Sequence, residues 1–306
     1  MKSQDRLYHL PGEFDLYRCA ACGLILIYPF LENSRLGSYY PEDYYSYSDS
    51  KKIGEKLPAS GPLSRLFKHP LKNLNGLLYS KIQRQNQDET VPVGSAVLDV
   101  GCGDGRYLLK KKEEGAVCFG VDISEGAISK LKSRNPEMTV FCGDLWVAHF
   151  PEASFRLINL CHVLEHVQPT GTLLAEIKRL LMPGGRLRVQ VPNGASLTRL
   201  MFGPYWMALD TPRHVYIFSK KNLRRLFEQQ DLRVVSVRTL ENSFSVLGSL
   251  VYVCNAVFGK KMELMKLEKF WDNEFLKLLL FPYSFFVNLF GVGDSIEFIL
   301  EKKHEA

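Results

Sequence analysis

Three aspartates recur at intervals, each where an apolar run stops. Asp99 lies in Val97-Leu98-Asp99-Val100, just ahead of the turn Gly101-Cys102-Gly103-Asp104-Gly105. Asp122 closes Gly120-Val121-Asp122, and Asp144 follows Phe141-Cys142-Gly143. A carboxylate at the end of a strand can accept ribose hydroxyl protons, and a glycine turn lets backbone approach a ligand closely. A dinucleotide fingerprint would run G-x-G-x-x-G, with a pyrophosphate on the helix that follows. Here the glycines run G-x-G-x-G, with one acid ahead and another, Asp104, inside. Negative charge at that place repels a pyrophosphate and suits a nucleoside that carries positive charge. Asp122 then fits the two ribose hydroxyls, and Asp144 an adenine amino group with Leu145 packed on the ring.

Imidazoles make up a second set. His162 and His166 stand in His162-Val163-Leu164-Glu165-His166-Val167, and His214 in Pro212-Arg213-His214. Histidine is the usual base near neutral pH. His166 and His214 are the candidate catalytic bases, whereas His162 fits a loop-holding role and Glu165 that of a hydrogen-bond acceptor or helix cap. A third set, Cys19-Ala20-Ala21-Cys22-Gly23, has the form of a zinc knuckle, in which two thiolates cover half a tetrahedron. No second pair precedes it, and His9 is the candidate third ligand. No metal is expected, and Cys19 and Cys22 are taken as the remnant of a site.

The elements that must position these residues alternate regularly. Strands are predicted over 96–100, 117–121, 138–142, 155–161 and 186–191. Helices over 105–115, 125–134 and 171–181 lie between them, the last stopping at Pro183-Gly184-Gly185. Ser124 is placed to cap the second helix and Ser219 a basic helix over 220–230. Such alternation builds parallel strands with helices on both faces, and ligands gather at the strands' carboxyl ends. A sixth strand is predicted over 232–237 and a seventh over 294–302. Ahead of this core lie a hairpin around the cysteines, a tyrosine-dense block over 38–47, a polar linker over 48–62 and an amphipathic helix over 71–85. The tyrosines could line a substrate pocket or a docking surface between two lobes.

Residues 97–191 resemble the class I S-adenosylmethionine-dependent methyltransferases: V-L-D-V-G-C-G-D-G, V-D-I, G-D-L, H-V-L-E-H-V and P-G-G-R-L occur in that order and at that spacing. The knuckle, the Y-Y-P-E-D-Y-Y block and the D-T-P-R-H-V-Y-I-F-S block resemble a bacterial-type subgroup with a degenerate zinc-binding N-terminus. Members of it are associated with sugars, polysaccharide precursors or other small metabolites. The resemblance implies an α/β fold: a Rossmann-like, seven-stranded, mostly parallel sheet with its last strand antiparallel, a small N-terminal knuckle or hairpin and a C-terminal helical lid. It implies S-adenosylmethionine as cofactor, with Asp99, Gly101, Cys102 and Gly103 at the methionine end, Asp122 and Ile123 at the ribose, Asp144 and Leu145 at the adenine, and backbone near Cys161 facing it. The domains expected are 1–60, the methyltransferase core over 61–240, and 241–306 for the apolar insertion and final strand. Arg156 departs from the family's usual aspartate at the start of the fourth strand.

The function expected is O-methylation of a small-molecule or sugar-derived acceptor. The alternatives are an RNA or protein methyltransferase, or a cofactor-binding scaffold without turnover. The 306 residues carry a formal charge of +6 without a clustered basic run, so no nucleic-acid partner is expected. Seven scattered cysteines suit a reduced compartment. Met1 to Arg6 carries no apolar run, so no secretory signal is read there and a cytoplasmic location is expected. The apolar blocks 247–258 and 276–290 are too short or too interrupted to span a bilayer. They are expected to form a lid over the acceptor pocket or a peripheral membrane patch, with Phe281, Phe285 and Phe286 dipping in.

Overall fold

The computed structural model describes residues 1–41, 90–241, 243–259, 262 and 274–303. The linker, the amphipathic helix and the tyrosine block from Glu42 onward lie outside the described residues. At the N-terminus β1 (Lys2–Ser3), β2 (Phe14–Arg18) and β3 (Ile25–Tyr28) form an antiparallel meander, followed by the short helix α1 (Asn33–Gly37). The core begins with β4 (Ala96–Val100), α2 (Arg106–Glu113), β5 (Val117–Asp122), α3 (Glu125–Arg134), β6 (Thr139–Cys142) and β7 (Phe155–Cys161). It continues through α4 (Thr170–Leu180), β8 (Leu181–Pro192), α5 (Leu197–Phe202), β9 (Tyr216–Ile217), α6 (Lys220–Glu228) and β10 (Leu232–Leu240). Two apolar helices, α7 (Ser243–Phe258) and α8 (Glu274–Leu289), precede the last strand, β11 (Ser295–Lys302).

Seven strands make one sheet in the order β10-β11-β8-β7-β4-β5-β6, and β11 runs antiparallel to both its neighbours while the pairs from β8 to β6 are parallel. The fold class expected from the sequence is therefore the one observed. The largest difference in a boundary is at β8. The helix before β8 ends at Leu180, and the strand starts at Leu181 and runs through Pro183-Gly184-Gly185 with a register shift against β7. The turn-forming pair makes an irregularity inside the strand instead of a loop ahead of it.

The strands are apolar on both faces because helices cover both. Leu173, Leu174, Ile177 and Leu180 of α4 and Leu223 and Phe227 of α6 are buried against Leu98, Ile158, Leu160 and Val189. On the other face Leu108, Ile128 and Leu131 close over Val97, Val140 and Leu157. Ser124 caps α3 by accepting from the Ala127 amide, and Ser219 and Asn222 form a reciprocal capping box on α6. Both caps fall where the sequence puts them.

The N-terminal meander is not a free appendage. β9 pairs antiparallel with β3, which turns the hairpin into a four-stranded sheet, and Trp206 and Leu209 pack into it with Phe14, Leu16, Ile25, Ile27 and Ile217. A buried ion pair adds to the attachment: Arg213 Nη2 donates to Asp5 Oδ1 at 2.8 Å and to Asp210 Oδ1 at 2.6 Å, with the Arg213 side chain fully buried. Helices α7 and α8 pack on each other and on the segment from α5 to Leu209. No helix among the described residues is long and apolar enough to cross a membrane.

Candidate active site

A cavity of about 540 Å³ opens at the carboxyl ends of β4, β5, β6 and β7, within the range of small-molecule sites. Its glycine wall is built by necessity. Gly101 has φ +75°, and a Cβ there would stand 2.5 Å from Val163 Cγ2. Gly105, with φ +77° at the start of α2, would meet Leu131 Cδ1 at 2.4 Å. An L side chain is strained at both angles and has no room at either place. The turn therefore lies flat against the end of β7 and presents Gly101 and Gly103 to the cavity.

Asp122 is the most fully engaged of the expected site residues. Its Oδ2 accepts from the Gly103 amide and its Oδ1 from the Ser124 amide, both at 2.8 Å. The carboxylate ties the glycine turn to the start of α3 and keeps a second lone pair on each oxygen for a ligand. Burial pushes its pKa up, and the two amide bonds oppose that shift. Ile123, 67% exposed, forms a lip beside it. Asp144 Oδ1 caps the short helical turn at Leu145, accepting from the Trp146 and Val147 amides at 3.1 and 3.2 Å. Its Oδ2 remains for a ligand. Leu145 and Trp146 line the same end, and Cys161 lies on the opposite wall with its thiol pushed up to about 11 by burial.

Two of the expected cofactor residues do not line the cavity. Asp99 points sideways in the sheet, where its Oδ1 accepts from Asn159 Nδ2 at 2.6 Å, and burial raises its pKa to about 7. Cys102 is buried among Val97, Leu108 and Val140, with its thiol also pushed up by burial. Only its backbone belongs to the turn. Both follow from strand and turn geometry: when Gly101 and Gly103 face the ligand, the residue between them faces the core.

The histidines gather at the other end. The turn after β7 brings His162, Glu165 and His166 together, and His162 takes φ +56°, a conformation rarely held by a residue other than glycine, asparagine or aspartate. His162 Nδ1 lies 3.0 Å from Glu165 Oε1, and its Nε2 lies 3.4 Å from Gln190 Nε2. Glu165 is fully buried. Burial pushes its pKa up, but the bond from His162 and the neighbouring imidazoles outweigh burial and hold it below the usual range. His166 lines the cavity, and its Nδ1 lies 2.9 Å from both Arg213 O and Tyr40 Oη. Burial, followed by His214, lowers its pKa to about 4.

His214 corrects an expectation. It is 5% exposed, does not line the cavity and sits behind His166, edge to face, with ring centroids 4.7 Å apart. Arg213 has turned the other way, into the pair with Asp5 and Asp210, so Pro212-Arg213-His214 locks the N-terminal sheet and does not form a binding loop. The tyrosine block does reach the site, since Tyr40, with Leu36 and Gly37, lines it. Among the described residues, none of those lining the cavity comes from α7 or α8.

Three residues escaped sequence reasoning. Asn159, Arg188 and Gln190 link the two ends: Arg188 Nη1 donates to Asn159 Oδ1 and Nη2 to Gln190 Oε1, both at 2.8 Å. Parallel register was the available signal, because Asp99 faces Asn159, Asn159 faces Arg188, and Cys161 faces Gln190. The cysteine pair keeps its knuckle turn, in which Gly23 N donates to Cys19 O at 2.8 Å and the Cys22 and Ala21 amides hold the Cys19 thiol below its usual pKa. Among the described residues it gathers no His9 or other third ligand. Arg156, the departure in β7, donates to Gly184 O at 3.0 Å and so holds the irregular start of β8.

A family profile described as a methyltransferase domain matches residues 70–237. The demethylmenaquinone methyltransferase of Beutenbergia cavernae is 31% identical over 122 residues, 39% of this chain and 50% of that protein. The malonyl-[acyl-carrier protein] O-methyltransferase of Serratia marcescens is 27% identical over 125 residues, 41% of this chain and 48% of that protein. The chain thus spans about half the length of these curated relatives. Among solved structures, a chain in the Haloferax volcanii complex of the Trm112 methyltransferase activator with a methyltransferase aligns with TM-score 0.50 at 16% identity. That alignment covers 79% of this chain and 96% of that one.

Proposed function

The chain belongs to the methyltransferase-domain family, and from that premise we propose that it transfers a methyl group from S-adenosylmethionine to an oxygen of a small-molecule or sugar-derived acceptor. The observation that carries the reading is one cavity walled by Gly101 and Gly103, two strand-end carboxylates and a histidine turn. S-adenosylmethionine supplies an electrophilic methyl group on a sulfonium. The residues present fit it. Asp122 offers an open lone pair on each oxygen to the ribose diol, Asp144 Oδ2 meets the adenine amino group, and Leu145 with Ile123 covers the ring. Rate enhancement then comes chiefly from holding donor and acceptor in line in a site closed to water.

Proton removal falls to the histidine turn. With Nδ1–H donated to Glu165, His162 Nε2 is an acceptor, an acceptor hydroxyl would take the place of its long 3.4 Å contact with the Gln190 amide, and the buried carboxylate would stabilise the charge that develops on the ring. This supports His162 as base in place of His214, with His166 and Tyr40 as the wall that orients the acceptor. Calorimetric titration with S-adenosylmethionine is the first test, and saturable binding is expected. Its absence overturns the reading. With binding in hand, formation of S-adenosylhomocysteine is followed across hydroxylated sugars and phenols, and His162→Ala is expected to slow turnover about 10²–10⁴-fold at unchanged cofactor affinity.

A further inference from the structure

We propose that Glu165, His166 and His214 form a binding site for a divalent ion of the zinc class at the acceptor end of the cavity. Two segments distant in sequence supply the ligands, and one ligand atom from each lies within 4.8 Å of the others. Each imidazole has a backbone carbonyl at Nδ1, and His166 Nδ1 also has Tyr40 Oη at 2.9 Å. His166 Nδ1 lies 2.9 Å from Arg213 O and His214 Nδ1 2.8 Å from Ala208 O. Each Nδ1–H donated to a carbonyl leaves the Nε2 lone pair free, which is how histidine ligands to metals are usually oriented.

Glu165 gives the second, independent observation. It is fully buried, Oε1 accepts from His162, and Oε2 has no hydrogen-bond partner among the described residues. A buried carboxylate oxygen left unpaired is costly and calls for an occupant. His214 Nε2 faces Glu165 Oε1 across 3.8 Å, too far for a hydrogen bond. Formal charge favours a cation as well. Asp5 and Asp210 pair with the guanidinium of Arg213, and Glu165 and Asp210 flank His214 Nε2 at 3.8 and 4.0 Å, so three carboxylates meet one guanidinium and leave a formal excess of two negative charges in this linked group.

Two imidazoles and one carboxylate suit zinc, iron, cobalt or nickel rather than calcium or magnesium. Bonds of about 2.1 Å would draw the ligand atoms to roughly 3.3 Å apart, a closure of an ångström or so by side-chain rotation. His166 lines the cavity, so the open coordination position faces the acceptor, where the ion would polarise the oxygen to be methylated. That last role rests on the methyl-transfer reading, whereas binding of the ion does not.

The probe is cobalt(II), titrated into the chelator-treated full chain carrying Cys19→Ser and Cys22→Ser, so that thiolates do not compete. One equivalent is expected to bind with visible ligand-field absorption. His214→Gln and His166→Gln are each expected to weaken binding at least about tenfold, with thermal melts checking that both fold. No cobalt absorption in the parent, or the same affinity in both histidine variants, overturns the proposal. Cobalt binding without S-adenosylmethionine binding would leave the metal site standing and remove the proposed function. Cofactor binding without cobalt binding would do the reverse.

Discussion

Replacing Asp122 separates the two duties of its carboxylate. In the folded chain each oxygen takes one backbone amide at 2.8 Å, from Gly103 and from Ser124. The remaining lone pair on each is proposed to accept one ribose hydroxyl. A hydrogen bond to a charged acceptor contributes about 1.5–3 kcal/mol, so losing two ribose bonds costs about 3–6 kcal/mol of binding. At 1.4 kcal/mol per factor of ten, Asp122→Ala is expected to weaken S-adenosylmethionine binding by about 10²–10⁴-fold. Asp122→Asn keeps one acceptor oxygen and sets an amide group against the other backbone N–H, so a loss of about 10- to 100-fold is expected. S-adenosylhomocysteine has the same ribose and lacks the sulfonium, and it should lose affinity by the same factor in both variants. The two orphaned amides lie at the cavity rim, where water reaches them, so stability should fall by only about 1–2 kcal/mol. Calorimetry with both ligands, beside thermal melts, reads all of this. If Asp122→Ala binds S-adenosylmethionine within about threefold of wild type, the ribose assignment is wrong. If the two ligands lose unequally, the carboxylate is acting on the sulfonium.

Asp99 predicts a pH dependence. Its folded pKa of about 7 lies above the ordinary 3.8 because of burial, so the folded state holds a proton that the unfolded state has lost. Its contribution to stability is complete below pH 4, declines by about 1.4 kcal/mol per pH unit as pH rises, and is gone above pH 7. Urea midpoints across that window should show the decline in wild type, and Asp99→Asn should remove it; an unchanged slope in the variant would place the ionisation elsewhere. The N-terminal sheet supplies another prediction. Asp5→Ala leaves the fully buried Arg213 with Asp210 as its remaining carboxylate partner, and a loss of about 3 kcal/mol is expected in chemical denaturation, with β1 becoming open to proteolysis. A loss below about 1 kcal/mol would show that the pair does not hold the sheet in place.

What could be read in the sequence and what could not divide along physical lines. Strand–helix alternation from Ala96 to Pro192 was legible because periodicity and turn residues are local signals, whereas the antiparallel direction of the last strand was implied by the family resemblance alone. The placement of Asp122 and Asp144 at the cavity was legible too, since a strand end fixes where its side chain goes. The burial of Cys102 was not legible, because proximity in sequence to Gly101 and Gly103 says nothing about which way a side chain turns. Nor was the burial of His214, because its surroundings are set by the turn after β7, some 50 residues earlier. The pairing of β9 with β3 left no local trace at all. A two-residue strand has no period, and its partner lies near the N-terminus.

Those non-local contacts decide how the two ends of the cavity act together. Asp99, behind the donor end, is bonded to Asn159, which takes a bond from Arg188. Arg188 also donates to Gln190, which touches His162. The first two links join register partners on adjacent strands, Asp99 with Asn159 and Asn159 with Arg188, so that part of the row cannot slip without moving the sheet, whereas Arg188 and Gln190 stand two apart on β8. Arg188 is further fixed by Glu297 of β11 at 2.9 Å, which places the antiparallel last strand behind the site as its charge counterweight. A cationic donor next to Asp99 would favour its ionised form, strengthen the bond from Asn159 and draw Asn159 Oδ1 and Arg188 toward it. Through Gln190 the same shift reaches the ring nitrogen proposed to receive the acceptor's proton. In the proposed reaction this row of side chains would link the donor end of the cavity to the acceptor end.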